Sequence, residues 1–239
     1  MNVHADTGVK KSAPQIDLRT VPKHSLDWPA CYRLRPFRIP ADDTMDSFGE
    51  DSSLLQELRL MTAPTARHAL GKAVLPTDFP AAVSRQVLAA FATSAPEWRF
   101  AQRGRPHLAV SSRISTALAT GVEIYGQFMR DTAQPATRMS FILERYRLTA
   151  TVADVSDQEL FPKCYESQDH LPAQELVETV ASAGIAAVVY AEKGGQSAVV
   201  IDPSALSYSD DERALTFEWD GSHFAQAYDY RDLFWRSLI

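Results

Sequence analysis

Residues 174 to 203 read QELVETVASAGIAAVVYAEKGGQSAVVIDP, and their pattern decides the fold class. Gln174 to Ala183 has helical character and is closed by Gly184, a residue type that readily takes the left-handed conformation just past a helix end. Ile185 to Tyr190 is a continuous apolar run of strand length, which predicts a central strand covered on both faces. Lys193-Gly194-Gly195-Gln196 reads as a turn, and Ala198 to Ile201 as the returning strand, stopped by Asp202-Pro203. A helix feeding a hairpin predicts an α+β domain with a mixed, twisted sheet and flanking helices.

Working upstream, residues 99 to 123 read RFAQRGRPHLAVSSRISTALATGVE. The turn Gly104-Arg105-Pro106 leads to a strand over His107 to Ser111. A helix over Ser112 to Met129 follows, with Ile114, Leu118, Val122 and Tyr125 repeating at three to four. Pro80 to Ala92 predicts another helix with proline in its first turn and Val83, Val87, Leu88 and Phe91 on its core face. Ser53 reads as the N-cap of a further helix. Cys31 to Phe37 reads as the first strand, and Met139 to Val155 as two strand-like runs with mixed faces. Arg213 to Trp219 alternates as a later strand, and the aromatic-rich Phe224 to Leu238 is expected to close the domain as a helix. Residues 1 to 29, polar and punctuated by Pro14 and Pro22, are expected to form a loose N-terminal arm. Residues 30 to 239 then form a single domain.

The 239 residues carry 24 Lys+Arg against 30 Asp+Glu, a net charge of -6. That balance argues against a general nucleic-acid binder, whose phosphate contacts need a basic surface. Acidic residues Asp42, Asp43, Asp46, Glu50 and Asp51 read as a solvated loop. No stretch approaches the roughly 20 apolar residues of a membrane span. The N-terminus lacks the apolar core of a signal peptide, so a cytoplasmic location is expected, with export by a signal-independent route left open. Cys31 and Cys164 have no paired spacing and fit a reducing compartment. The six histidines are scattered without metal-ligand spacing, and no metal site is expected.

Three features can carry chemistry. Arg99 offers a planar guanidinium able to clamp a phosphate, or is a surface arginine before a turn. Glu123 can stabilise an oxocarbenium ion at a nucleotide-linked ribose, or is a solvated face of an amphipathic helix. Gly194 and Gly195 allow backbone amides to approach a pyrophosphate, or make a plain hairpin turn. Taken alone, the residues name no function.

The same segments resemble the RES domain, a family of NAD-consuming bacterial toxins. Arg99-Phe100, Gly104, Pro106, His107-Leu108 and the Ala-rich stretch from Ala117 to Glu123 resemble the family's central motif. Tyr32-Arg33 resembles the aromatic-Arg of its first strand. Gln174 to Gly184, Ile185 to Tyr190 and Gly194-Gly195 to Ile201 resemble its last helix, core strand and glycine turn. The resemblance covers residues 30 to 206. It departs at Ala101, where the family has Asn; at Ala109, where it has a tyrosine; and at Glu192, where it has serine.

The resemblance implies an ADP-ribosyltransferase-like fold and cleavage of the nicotinamide–ribose bond of NAD, by hydrolysis or phosphorolysis. NAD would be the substrate, with no permanently bound cofactor. Arg99 and Glu123 are the implied catalytic pair, with Arg33, Tyr190, Gly194 and Gly195 as ligand-binding positions. Ser111, Ser112 or Tyr125 would have to replace the missing hydroxyls. A protein antitoxin of the Xre helix-turn-helix type is the implied partner, and a homodimer is compatible. The departures support an alternative expectation, a degenerate module that binds a nucleotide or protein partner without turnover.

Overall fold

The computed structural model describes residues 16–37, 83–92, 98–101, 106–166 and 169–238. Elements are numbered over these residues. They are β1 (Lys23–Pro36), α1 (Arg85–Ala92), β2 (Leu108–Ser111), α2 (Ile114–Asp131), β3 (Thr137–Asp154), α3 (Leu171–Ser182), β4 (Ala187–Glu192), β5 (Gly195–Val200), β6 (Leu206–Trp219), β7 (Phe224–Asp229) and β8 (Phe234–Ser237). Single 3-10 turns at Pro162–Tyr165 and Pro203–Ala205 join them. The chain is α+β, with one mixed, twisted eight-stranded sheet in the order β1-β2-β5-β4-β3-β6-β7-β8.

A second set of pairings bends this sheet. β1 also pairs with β3, so β1, β2, β5, β4 and β3 close on themselves, and β6, β7 and β8 continue outward from β3. β3 makes both connections possible because its two edges have different partners. One edge runs antiparallel to β1 from Phe141 to Ala153. The other pairs antiparallel with β6 up to Leu148 and then parallel with β4 from Val152. The two runs expected over Met139 to Val155 are therefore one continuous strand.

β4 shows why its sequence is uniformly apolar. Ala187 and Val189 face a core shared with Val87 and Phe91 of α1, while Val188 and Tyr190 face a second core shared with Leu176 and Val180 of α3. Period-two alternation gives each face half of the run, and both halves are buried. A third core lies between α2 and the β3–β6–β7 face, around Phe141, Phe217, Trp219 and Phe224. There α2 approaches β1 so closely that a Cβ at Gly121 would overlap the Leu34 side chain. Cys31 and Cys164 are both buried and free; burial pushes their thiols up to about 12 and about 11, which keeps them protonated and inert.

Two expectations are corrected. β1 begins at Lys23 rather than Cys31, so residues 23–29 belong to the sheet and not to an arm; Val21 is buried ahead of it, with Ile16 and Leu18 packed on the α3-side core. Polar residues in this segment misled because one face of the strand is solvated while its backbone pairs with β3. Residues 224–238 form the β7–β8 hairpin, not a helix. Phe224 packs edge-on to Trp219 and Phe217, and Tyr228 lies 5.2 Å from Trp235 across the strands. Aromatic side chains suit the pleated, half-buried surface of a strand and are stabilised by such cross-strand pairs. The helix expected after Ser53, the acidic stretch from Asp42 and the Gly104-Arg105 part of the turn lie outside the described residues.

Candidate active site

Three segments meet around an open cavity of about 930 Å³. The first is α2. Its Ser115, Leu118, Ala119, Val122 and Glu123 line the cavity, spaced as one helix face requires. The helix is launched from β2 by an elbow locked onto the β4–β5 turn. The backbone N–H and the hydroxyl of Ser112 both donate to the Gln196 carbonyl, at 2.9 and 2.8 Å.

The second segment is the end of β4, which supplies Tyr190, Ala191, Glu192 and Lys193. Tyr190 and Glu192 share a strand face, so the face that buries Val188 against α3 opens here into the cavity. The third is the tight turn Trp98 to Ala101, closed by reciprocal backbone hydrogen bonds of 3.0 and 2.9 Å. Phe100 is fully buried and stacks on Tyr190, with ring centroids 4.2 Å apart. That anchor directs the neighbouring Arg99 to the cavity, where its guanidinium lies 5.7 Å from the Tyr165 ring centre. Among the described residues Arg99 makes no ion pair and Glu123 no hydrogen bond.

The carboxylate of Glu192 is held differently. It accepts hydrogen bonds of 2.6 Å from both Thr120 on α2 and Ser197 on β5. Ser197 is in turn 2.9 Å from the Ser111 hydroxyl on β2. Burial pushes the Glu192 carboxyl above the usual carboxylate range and the charge of Glu123 adds to this, while Ser197, Thr120 and Arg99 pull it back. Burial also raises the Tyr190 phenol well above its usual range and takes Tyr165 up to about 12. The Tyr165 hydroxyl is committed to backbone, donating to Val155 and accepting from Ala191, each at 2.8 Å.

Of the residues expected from sequence, Arg99, Glu123 and Tyr190 line this cavity together. Arg33 does not. It sits opposite Glu144 in the β1–β3 register and pairs with that carboxylate at 3.5 Å, beside Arg35. Gly194 and Gly195 are also placed elsewhere, against the first turn of α2. A Cβ at Gly195 would come within 2.7 Å of the Thr116 hydroxyl, and Gly194 has φ +85. The glycines therefore seat a helix on a turn, and the turn is filled by Thr116.

The substitutes expected for the missing hydroxyls do not line the cavity among the described residues. Ser111 acts only through Ser197, Ser112 holds the elbow, and Tyr125 packs 5.0 Å from Phe141 in the core. Ala109 pairs with Val199 in the sheet, and Ala101 closes the turn with Trp98. In the sequence Glu192 stands as a departure from the family's serine that adds repulsion towards phosphates. The signal that finds it is its offset of two from Tyr190 at the end of an apolar strand.

No family model matches this chain, and no curated protein matches it. Among solved structures it is similar to a chain of the M. tuberculosis MbcT-MbcA toxin-antitoxin complex. The identity is 10%, the TM-score 0.48, and the likeness covers 85% of this chain and 90% of that one. At that TM-score the likeness is too loose to carry chemistry from one chain to the other. Among the described residues no helix is long and apolar enough to cross a membrane.

Proposed function

We propose that this chain cleaves the nicotinamide–ribose bond of NAD as a divergent RES-type toxin, and that a protein antitoxin of the Xre type neutralises it in the cytoplasm. The supporting observation is that Arg99 and Glu123, from separate elements, line one cavity. Its volume, about 930 Å³, lies at the upper end of small-molecule sites, as a dinucleotide requires. Arg99 and Lys193 are the cations for the pyrophosphate. Glu123 is the carboxylate for the positive charge that develops on the ribose as nicotinamide leaves. Leu118 and Val122 offer an apolar wall to a planar base.

The test is NAD consumption by the purified chain beside Glu123→Gln and Arg99→Ala. The expected result is NAD loss that Glu123→Gln reduces by about a hundredfold or more, the range of a lost acid–base or electrostatic group. NAD loss unchanged in both variants rules this assignment out. The absence of a side-chain hydroxyl at Ala109 favours a second reading, a module that binds a nucleotide without turnover. It predicts that bound NAD is recovered intact from the wild-type chain.

A further inference from the structure

We infer that the acceptor in this cavity is water, and that Glu192 is the residue that keeps inorganic phosphate out. This rests on the cleavage reading above and concerns what attacks the ribose once nicotinamide leaves. The fixed place of the Glu192 carboxylate in the cavity lining carries it. Among the described residues lining the cavity, the charged side chains are Arg99, Lys193, Glu123 and Glu192. The two pyrophosphate charges of NAD match the two cations. The other charged residues of this lining are the carboxylates of Glu123 and Glu192, left for the pyridinium and the ribose, and the charge of Glu123 adds to the cost of ionising Glu192.

A pair of negative charges suits the cationic leaving group and the oxocarbenium ion. It opposes a second anion at the same place, because like charges in a partly buried site repel with little screening. Phosphate at neutral pH is such an anion, and the described lining residues offer it no cation besides Arg99 and Lys193. Water has no charge to be repelled. Glu192 cannot swing aside to admit phosphate, since Thr120 and Ser197 each donate a 2.6 Å hydrogen bond to it. It acts as a fixed charge that selects the acceptor, while Glu123 is unpartnered among the described residues and available to take a proton.

The step balances without a further reactant. The bond from ribose C1 to the nicotinamide nitrogen breaks, and its electron pair leaves with nicotinamide. A water oxygen forms the new bond to C1, and its proton passes to Glu123 and then to solvent. The products are ADP-ribose, nicotinamide and one proton.

The experiment uses the full chain and Glu192→Gln, a near-isosteric change that still offers an oxygen to Thr120 and Ser197. Products from NAD are identified by mass spectrometry in phosphate-free buffer and in excess inorganic phosphate. The wild type is expected to form ADP-ribose at the same rate in both. Glu192→Gln is expected to shift the ratio of phosphorylated to unphosphorylated ADP-ribose by about tenfold or more in phosphate buffer. Phosphorylated product from the wild type, or a ratio that Glu192→Gln leaves unchanged, overturns the inference.

If no variant consumes NAD, the cleavage reading fails, and the exclusion of phosphate is read by binding instead. Phosphorus NMR of inorganic phosphate, with the protein held in ADP-ribose, is then expected to show broadening with Glu192→Gln and none with the wild type. Equal behaviour of the two proteins overturns the inference in that case as well.

Discussion

The hydroxyl of Thr120 donates a 2.6 Å hydrogen bond to the carboxylate of Glu192, joining the middle of α2 to the end of β4. Through this contact the helix that carries Glu123 is held against the strand that carries Tyr190. Ser197 supplies a second donor from β5, so three elements converge on one acidic side chain. Two hydroxyls make a carboxylate tolerable where burial alone would disfavour it.

Glu192→Gln should stabilise the protein at neutral and alkaline pH. Burial, helped by Glu123, raises the folded-state value of this carboxyl above that of the unfolded chain. The folded protein therefore holds the proton more tightly, and its stability is full below the ordinary carboxylate range and lost as pH rises through the raised value. The glutamine variant does not ionise there. Calorimetry across pH should find its Tm above that of the wild type at pH 8, with the gap closing towards pH 4. A lower Tm for the variant at pH 8 would mean that the two hydroxyl bonds outweigh the cost of burial.

Gly195→Ala should cost about 1–3 kcal/mol, the range for overpacking a filled site. Its new methyl would meet the Thr116 hydroxyl, which is buried and has no hydrogen-bond partner among the described residues. Thr116→Ala in the same chain should recover most of the loss. Urea unfolding of both single variants and the pair measures the coupling. Additive losses would show that the turn and α2 do not press on one another here.

Arg33 should matter for stability and not for ligand affinity. Glu144 is 6% exposed and accepts from Arg33, from Arg35 at 2.5 Å and from the Tyr146 hydroxyl at 2.8 Å. Glu144→Gln removes the buried charge that both arginines pair with, while Arg35 keeps Glu212 at 3.9 Å, and should cost about 3 kcal/mol, the low end for breaking a buried pair. Arg33→Met should lower Tm while leaving ADP-ribose affinity, measured by calorimetry on the folded variant, unchanged. An intact Tm with lost affinity would return Arg33 to the binding site.

Arg99→Lys should weaken ADP-ribose binding by about tenfold with little change in Tm. The lysine keeps the charge and loses the planar, two-pronged donor and its stacking on Tyr165. Equal affinity of the two proteins would show that Arg99 acts as a point charge only.

The hairpin from Ala187 to Val200 and the helix before it were legible because their signals are local. An unbroken apolar run, a glycine-bearing turn and a glycine past a helix end each depend on neighbours in the chain; Gly184 indeed has φ +70, and the turn expected over Lys193 to Gln196 is the two residues Lys193 and Gly194. The same holds for α2 and the buried face of α1. The candidates Arg99, Glu123 and Tyr190 came from the resemblance to the RES domain, and they line one cavity.

The rest was decided by contacts between distant residues. Residues 23–29 look polar and become a strand only because β3 offers its backbone edge, more than a hundred positions away. Residues 224–229 have an aromatic pattern that suits a helix or a strand, and packing on Trp219 and Phe217 selects the strand. Arg33 and Arg99 are alike as arginines in a sequence. One is neutralised by Glu144 across the sheet, and the other is aimed into a cavity by the burial of Phe100. The sequence offered Glu192 as a charge, and it became a fixed one because Thr120 and Ser197 reach it from other elements. Backbone periodicity is a property of consecutive residues and can be read along the chain; the charge state and partners of a side chain depend on what folding brings beside it.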